Sequence, residues 1–159
     1  MPELIIVDTS VLIALEKIDL LNILCKIYKE ILLPDAVVKE FGNINMGCHS
    51  VRKVESRLIT ILMRDLNLGR GESEVIALAY ETNYNALIDD LKARNVAESL
   101  GLSISGSIGV LLKAEKLGII DSALNKVQEL KDIGNKCFIS PDGLTAIHCR
   151  KKGHFPYFL

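Results

Sequence analysis

Acidic residues follow two short apolar runs of the sequence. The first run, Leu4–Val7, ends at Asp8, and the second, 86–88, ends at the pair Asp89-Asp90. Runs of this kind are typical of strands that are buried on both faces of a parallel sheet. Because ligands of such sheets bind outside the carboxyl ends of the strands, we expect these aspartates to lie at one edge. Asp8 taken alone could equally be a turn or helix-capping residue.

Two glutamates in predicted helices are the other acidic candidates. Glu40 lies near the end of a helix predicted for 35–41, where the helix dipole gains nothing from a negative charge. Glu72 lies in the first turn of an apolar helix that follows the turn 69–71. A carboxylate in the first turn of a helix interacts favourably with the helix dipole. Glu72 could therefore be a purely structural residue instead of a metal ligand.

The chemistry that these residue types support is metal-assisted hydrolysis. Adjacent carboxylates such as Asp89 and Asp90 repel each other at the end of a buried strand unless a cation is present. Mg²⁺ or Mn²⁺ prefers oxygen ligands, and such a site can activate water and stabilise charge on a scissile phosphate. No P-loop is present, and Glu74 stands where a dinucleotide fingerprint has its third glycine.

Alternating strand and helix patterns must position these side chains. Strands are predicted at 4–7, 31–33, 86–88, 102–104 and, at the edge, 137–139, with 58–62 extended or helical. Helices are predicted at 11–17, 20–28, 35–41, 51–57, 72–80, 91–100, 108–117 and, with Asp121 as cap, up to 131. Strands that alternate with helices predict an α/β fold with a central, mostly parallel sheet covered on both faces.

Length and composition favour one ordinary globular domain. We expect the 159 residues to form a single domain 1–159, with a core at about 3–140 and a tail 141–159 of uncertain structure. The net charge of −1 argues against tight non-specific binding to nucleic acid. The sequence has no membrane-length apolar run and no signal-peptide pattern, so we expect a cytoplasmic protein without a membrane partner.

The four cysteines are scattered and form no CxxC pair. Cys25 lies in an apolar helical pattern and is most simply a small core residue. A second group near the end of the chain suggests zinc, but its spacing fits no common zinc site. That group is Cys137, His148, Cys149 and His154.

Taken jointly, four motifs resemble those of PIN-domain proteins. They are Val7-Asp8-Thr9-Ser10, Glu40 after the second strand, Gly69-Arg70-Gly71-Glu72-Ser73-Glu74-Val75-Ile76-Ala77-Leu78-Ala79, and Leu87-Ile88-Asp89-Asp90-Leu91-Lys92-Ala93-Arg94. The resemblance is greatest to the small prokaryotic branch with a Gly-x-Gly-Glu helix and an Asp-Asp-x-x-Ala-Arg segment. It implies a three-layer α/β/α sandwich and metal-dependent cleavage of RNA. Many members of that branch are the toxin of a toxin–antitoxin pair.

The resemblance also implies a role for each acid. Asp8 matches the first-strand aspartate and Glu40 the second acid of the family. Glu72 lies seven residues before Ala79, as does the acid of the third conserved helix, and is therefore chosen over Glu74. Relatives often have Asp where this chain has Glu72, which leaves a weakened or lost activity open.

At the last acidic position the resemblance implies that Asp90 faces the metal, with Asp89 either beside it or itself the ligand. The expected metal ligands are thus Asp8, Glu40, Glu72, Asp89 and Asp90, and all but Asp89 are also the expected catalytic residues. The expected substrate contacts are Thr9, Ser10, Lys92 and Arg94. For the two cations the alternative is ordinary solvation on a helix surface.

The predicted function is therefore a Mg²⁺- or Mn²⁺-dependent endoribonuclease, toxin-like, with RNA as substrate and an antitoxin protein as possible partner. A homodimer is expected, since small domains of this kind often pair. Either that interface or ordinary core packing would explain the apolar residues Leu12, Leu15, Leu20 and Leu24. The alternative functions are a catalytically silent module that binds RNA or protein and, third, a small-molecule phosphohydrolase.

Overall fold

The computed structural model describes the backbone of residues 3–133, 136–139 and 147–150, and the side chains of residues 3–133. The strands are β1 (Leu4–Val7), β2 (Glu30–Pro34), β3 (His49–Arg52), β4 (Ala86–Leu87), β5 (Ile104–Ser105), β6 (Lys136–Ile139) and β7 (Ile147–Arg150). The helices are α1 (Thr9–Lys17), α2 (Ile23–Ile27), α3 (Asp35–Phe41), α4 (Arg57–Arg64), α5 (Arg70–Thr82), α6 (Leu91–Ser99), α7 (Ser107–Lys116) and α8 (Ala123–Asp132).

Five parallel strands form the central sheet in the order β3-β2-β1-β4-β5. The chain runs outward from β1 through β2 to β3, and then returns to the other side of β1 as β4. The strand order therefore reverses between β1 and β4, and a crevice forms outside the carboxyl ends of strands at such a switch point. Asp8 follows β1 there, and the Asp89-Asp90 pair follows β4.

Helices cover both faces of the sheet, which gives the α/β/α sandwich expected from the sequence. α5 packs on β1, β2 and β4 and contacts α3, α4 and α6, while α7 packs against α1, α2 and α8. Ile6 in β1, Leu32 in β2 and Leu87 in β4 are all but fully buried, as expected for strands covered on both faces. Ile76 of α5 is fully buried in the same core.

The third extended segment lies earlier in the chain than predicted. Residues 58–62 belong to helix α4, which buries Ile59 and Leu62 at helical spacing and is capped by Ser56. The third strand is β3, although 51–57 was predicted to be helical. β3 is an edge strand of the sheet and is half-buried to exposed, so its sequence lacks the apolar run of an inner strand.

Two smaller predictions are also corrected. Ser122 caps α8 by accepting a hydrogen bond from the amide of Asn125, so Asp121 is not the cap. The strand predicted at 137–139 exists as β6, but it pairs with β7 in a separate antiparallel sheet rather than at the edge of the central one. Cys137, His148, Cys149 and His154, whose spacing fits no common zinc site, lie outside the described side chains, as does the whole tail 141–159.

Cys25 is more than a small core residue, because it forms a disulfide with Cys48 and so ties α2 to the segment before β3. The candidate dimer leucines are explained by core packing. Leu12, Leu15 and Leu24 are fully buried within the protomer, and Leu20 is half-buried against the same core. Within the described residues no helix combines the length and apolar character that a membrane crossing needs.

Candidate active site

Asp8 is a buried carboxylate at the end of β1. Its amide donates a hydrogen bond to the carbonyl of Leu87 in β4 (2.9 Å), which fixes it at the switch point. Its side chain is 2% exposed, and Oδ2 accepts a hydrogen bond from the hydroxyl of Ser10 (2.7 Å). Oδ1 is buried without a partner among the described residues, as is Oγ of Ser73. Burial raises the pKa of Asp8 to about 7, and the charge of Glu40 adds to this.

Glu40 reaches from the end of α3 to the first turns of two other helices. Its Oε2 accepts a hydrogen bond from the hydroxyl of Thr9 in α1 (2.9 Å), and its Oε1 accepts one from the amide of Gly71 in α5 (3.1 Å). A Cβ at Gly71 would lie 2.7 Å from Oε2 of Glu40. Any side chain in place of the second glycine of the Gly-x-Gly-Glu motif would therefore displace this carboxylate from its position.

Glu72 has the structural role that its sequence position left open, and it also lies near other acidic residues. Its Oε2 accepts a hydrogen bond from the amide of Gly69 (3.0 Å), which stabilises the start of α5. Burial and, to a smaller extent, the negative charges of Asp8, Asp90 and Glu40 together raise the pKa of Glu72 to about 8, against the opposing effect of the Gly69 amide. The carboxylate of Glu72 therefore interacts electrostatically with those of Asp8, Glu40 and Asp90. We call these four carboxylates the acidic cluster.

The two aspartates after β4 have different surroundings. Asp90 caps α6, with Oδ1 accepting a hydrogen bond from the amide of Ala93 (2.8 Å), and its charge reaches Glu72. Both oxygens of Asp89 accept hydrogen bonds from Ser107 at the start of α7, one from the amide (2.7 Å) and one from the hydroxyl. The structure therefore brings Asp90 to the acidic cluster and holds Asp89 against α7.

The residues predicted to contact substrate have mostly internal partners. Thr9 and Ser10 donate their hydroxyl hydrogens to Glu40 and Asp8 and so orient these carboxylates. Arg94 is only 7% exposed and donates from Nη1 to the carbonyl of Ile88 (2.9 Å), so the alternative of solvation on the helix surface is wrong for it, while its contact with substrate stays a prediction. Lys92 is exposed and donates to the carbonyl of Asn67 (3.4 Å).

Glu74 is a buried carboxylate to which the sequence analysis assigned no role. It is 4% exposed; Oε2 accepts a hydrogen bond from the amide of Ala36 at the start of α3 (3.0 Å), and Oε1 accepts one from Nε of Arg70 (2.7 Å). The i,i+4 spacing of Arg70 and Glu74 is a sequence signal for the second contact. No local signal exists for the first, because its partners lie 38 residues apart.

The acidic cluster fits a divalent cation by its chemistry. Among residues 3–133, no group of three or more His, Cys, Asp or Glu side chains is arranged so that it could hold a metal ion. The oxygen donors of the acidic cluster are nevertheless those that Mg²⁺ and Mn²⁺ prefer, and the buried Oδ1 of Asp8 has no hydrogen-bond partner among the described residues. A cation held by Asp8, Glu40, Glu72 and Asp90 would also relieve the repulsion that raises the pKa of Glu72.

Comparison with known proteins adds three findings. A family model described as a PIN domain matches residues 4–150. Among solved structures, the chain is similar to a PilT N-terminus domain protein from the hyperthermophilic archaeon Sulfolobus solfataricus P2. The two are 19% identical with a TM-score of 0.42, and the match covers 70% of this chain and 92% of that chain. No curated protein matches this sequence.

Proposed function

The chain belongs to the PIN-domain family, and from this premise we propose that it is a Mg²⁺- or Mn²⁺-dependent endoribonuclease. The family generally includes nucleases and typically uses divalent metals. The observation that carries the proposal is the acidic cluster, in which the charges of Asp8, Glu40 and Asp90 all act on Glu72 and the buried Oδ1 of Asp8 has no partner among the described residues. Such an arrangement is tolerable when a cation binds.

Asp8, Glu40, Glu72 and Asp90 are the proposed ligands and catalytic residues. A divalent ion bound by them would supply an activated water and neutralise charge on the phosphate under attack. Ser10 and Thr9 orient Asp8 and Glu40 through their hydroxyl groups. Asp89 was also expected among the ligands, but its charge is not among those that raise the pKa of Glu72, and Ser107 donates to both of its oxygens, so we assign it to holding α7 in place.

Cleavage of a fluorescently labelled single-stranded RNA during a Mn²⁺ titration tests the proposal. We expect cleavage by the wild-type protein and a loss of at least about a hundredfold in Asp8→Asn, as for other groups that stabilise charge in a transition state. Glu81→Gln, at an exposed position of α5, is the matched control and should keep full activity. RNA binding without cleavage by wild type would favour the silent module, and turnover of an aryl phosphate alone would favour the phosphohydrolase.

The proposed partners are RNA, an antitoxin protein and a second copy of the chain. The toxin role predicts that a small gene immediately upstream encodes a DNA-binding protein or one with a disordered tail. Co-expression should then yield a complex in which the antitoxin suppresses RNA cleavage. The homodimer predicts twice the mass of the chain in light scattering. Since Leu12, Leu15 and Leu24 are buried in the protomer, its interface must use other residues.

A further inference from the structure

Two glutamates join α3 and α5 reciprocally. Glu40, from the end of α3, accepts the amide of Gly71 in the first turn of α5 (3.1 Å). Glu74, from α5, accepts the amide of Ala36 in the first turn of α3 (3.0 Å). Ala36 and Gly71 are each the second residue of their helix, so each helix start is bound by a carboxylate of the other helix. We call these two hydrogen bonds the α3–α5 clasp.

Both halves of the clasp are favourable for the charges involved. The amides at a helix start lack partners within the helix, and the positive end of the helix dipole attracts a carboxylate. Glu74 is 4% exposed, and Arg70 pairs with its second oxygen at 2.7 Å. Glu74 is therefore a buried charge with two charge-assisted hydrogen bonds, and such a group strongly resists displacement.

The clasp joins two helices whose other acidic groups repel each other. Glu40 on α3 and Glu72 on α5 belong to the acidic cluster, and their carboxylates repel each other when both are charged. The hydrogen bond between Ala36 and Glu74 joins the same two helices and therefore opposes their separation.

We propose that Glu74 is a positioning residue, which holds α3 against α5 so that Glu40 stays on the amide of Gly71 and within the acidic cluster. The inference deepens the proposed function and rests on it for the metal, whereas the effect on Glu40 is independent of any metal. Glu74 itself is not assigned as a ligand, because its partners Ala36 and Arg70 lie outside the acidic cluster and its charge is not among those that raise the pKa of Glu72. Its loss should weaken metal binding without changing the chemistry once metal is bound.

Amide hydrogen exchange in the metal-free, isotope-labelled full chain tests the effect on Glu40. The amide of Gly71 reports the contact with Glu40, and the amide of Ile6, bonded to Asn85 within the core, reports global stability. In Glu74→Ala the exchange of Gly71 should accelerate about tenfold or more relative to that of Ile6. Glu81→Ala, an exposed change on the same helix, is the control and should leave the ratio unchanged.

Mn²⁺ binding by calorimetry, with RNA cleavage at saturating Mn²⁺, tests the effect on the cluster. For Glu74→Ala we expect the Kd for Mn²⁺ to rise by about tenfold, the range seen when outer contacts of metal ligands are removed. The kcat at saturating Mn²⁺ should stay near that of the wild-type protein. Glu74→Gln has one acceptor oxygen instead of two, should give intermediate values in both measurements, and carries the test if Glu74→Ala does not fold.

The possible outcomes separate the positioning role of Glu74 from the proposed metal-dependent function. Equal acceleration of Gly71 and Ile6, or an unchanged Kd for Mn²⁺ in a variant whose Gly71 amide is exposed, would reduce Glu74 to a stability residue and overturn the proposal. If the wild-type protein binds no Mn²⁺ while Gly71 still loses its protection in Glu74→Ala, the positioning of Glu40 stands. In that case the proposed metal-dependent function fails instead.

Discussion

The carboxylate of Glu40 lies directly against the backbone of Gly71, with the Gly71 amide donating to Oε1 (3.1 Å) and no room for a Cβ beside Oε2. This contact joins two motifs that lie 31 residues apart in the sequence. It explains why a glycine stands in the first turn of α5, where most residues would favour the helix more.

Gly71→Ala should therefore destabilise the protein. Without the contact, alanine would stabilise the helix by up to about 1 kcal/mol relative to glycine. With it, the new methyl group displaces Glu40, and we expect a net loss of about 1–3 kcal/mol in the free energy of unfolding, together with weaker Mn²⁺ binding. Gly47→Ala is the control, since a Cβ there meets nothing within 4 Å. Urea denaturation of both variants measures the sign, and stabilisation by Gly71→Ala would contradict the account.

Without metal, the protein should become less stable as the pH rises. The pKa of Asp8 rises from 3.8 to about 7 and that of Glu72 from 4.5 to about 8 on folding, mainly through burial. The folded state thus holds these protons more tightly than the unfolded state. The resulting stabilisation is complete below about pH 4 and is lost as the pH rises through 7 to 8, at about 1.4 kcal/mol per pKa unit. Thermal melts in EDTA between pH 5 and pH 9 should show a falling Tm.

Asp8→Asn should flatten this pH dependence, because it removes one buried charge and its repulsion with the acidic cluster. Metal-free Asp8→Asn should accordingly melt at a higher temperature than the wild-type protein at pH 9, and at about the same temperature at pH 4. Added Mn²⁺ should raise the Tm of the wild-type protein alone. A wild-type Tm that is constant from pH 5 to pH 9 in EDTA would show that ionisation of the acidic cluster does not destabilise the folded protein.

Asp89→Asn should mainly lower stability, whereas Asp90→Asn should mainly lower Mn²⁺ affinity and RNA cleavage. Asparagine caps a helix as well as aspartate does, so Asp90→Asn should keep its stability within about 0.5 kcal/mol while its affinity for Mn²⁺ and its RNA cleavage fall. Asp89→Asn replaces an acceptor oxygen that faces Ser107 with an amide group and should cost about 1–3 kcal/mol of stability, with a smaller effect on Mn²⁺ affinity. The reverse pattern would mean that Asp89 is the ligand.

Arg94→Met should lower stability and leave RNA binding unchanged. Arg94 is buried and donates to the carbonyl of Ile88, next to the aspartate pair, so its loss leaves a buried acceptor without this donor, at about 1–3 kcal/mol. Lys92→Met, at an exposed position, should stay within about 0.5 kcal/mol of wild type. The KM for RNA tests the alternative that Arg94 contacts the substrate. A several-fold rise of KM in Arg94→Met at unchanged stability would show that it does.

Much of this fold was predictable because the inner strands of a parallel sheet appear in the sequence as continuous apolar runs. The apolar runs before Asp8 and Asp89 are strands β1 and β4, and their common edge follows from the parallel arrangement. β3 was missed because an outer strand needs no apolar run, and α4 was misread because a short apolar stretch fits helix and strand alike.

The composition of the acidic cluster was also accessible from sequence, whereas its internal contacts were not. Strand ends and the family motifs pointed to Asp8, Glu40, Glu72 and Asp90, and in the structure the charges of the other three act on Glu72. The Ser107 contact of Asp89, the burial of Arg94 and the bond from Ala36 to Glu74 join residues without a local pattern. Such contacts depend on how the helices pack, which no spacing along the chain encodes.

The location of manganese in a crystal grown with Mn²⁺, read from its anomalous scattering, tests the central claim most directly. The account predicts a peak at the carboxyl edge between β1 and β4, with oxygens of Asp8, Glu40, Glu72 and Asp90 as ligands at about 2.0–2.2 Å, directly or through water. A peak bound elsewhere, or these four side chains pointing to separate places with no manganese between them, would contradict it.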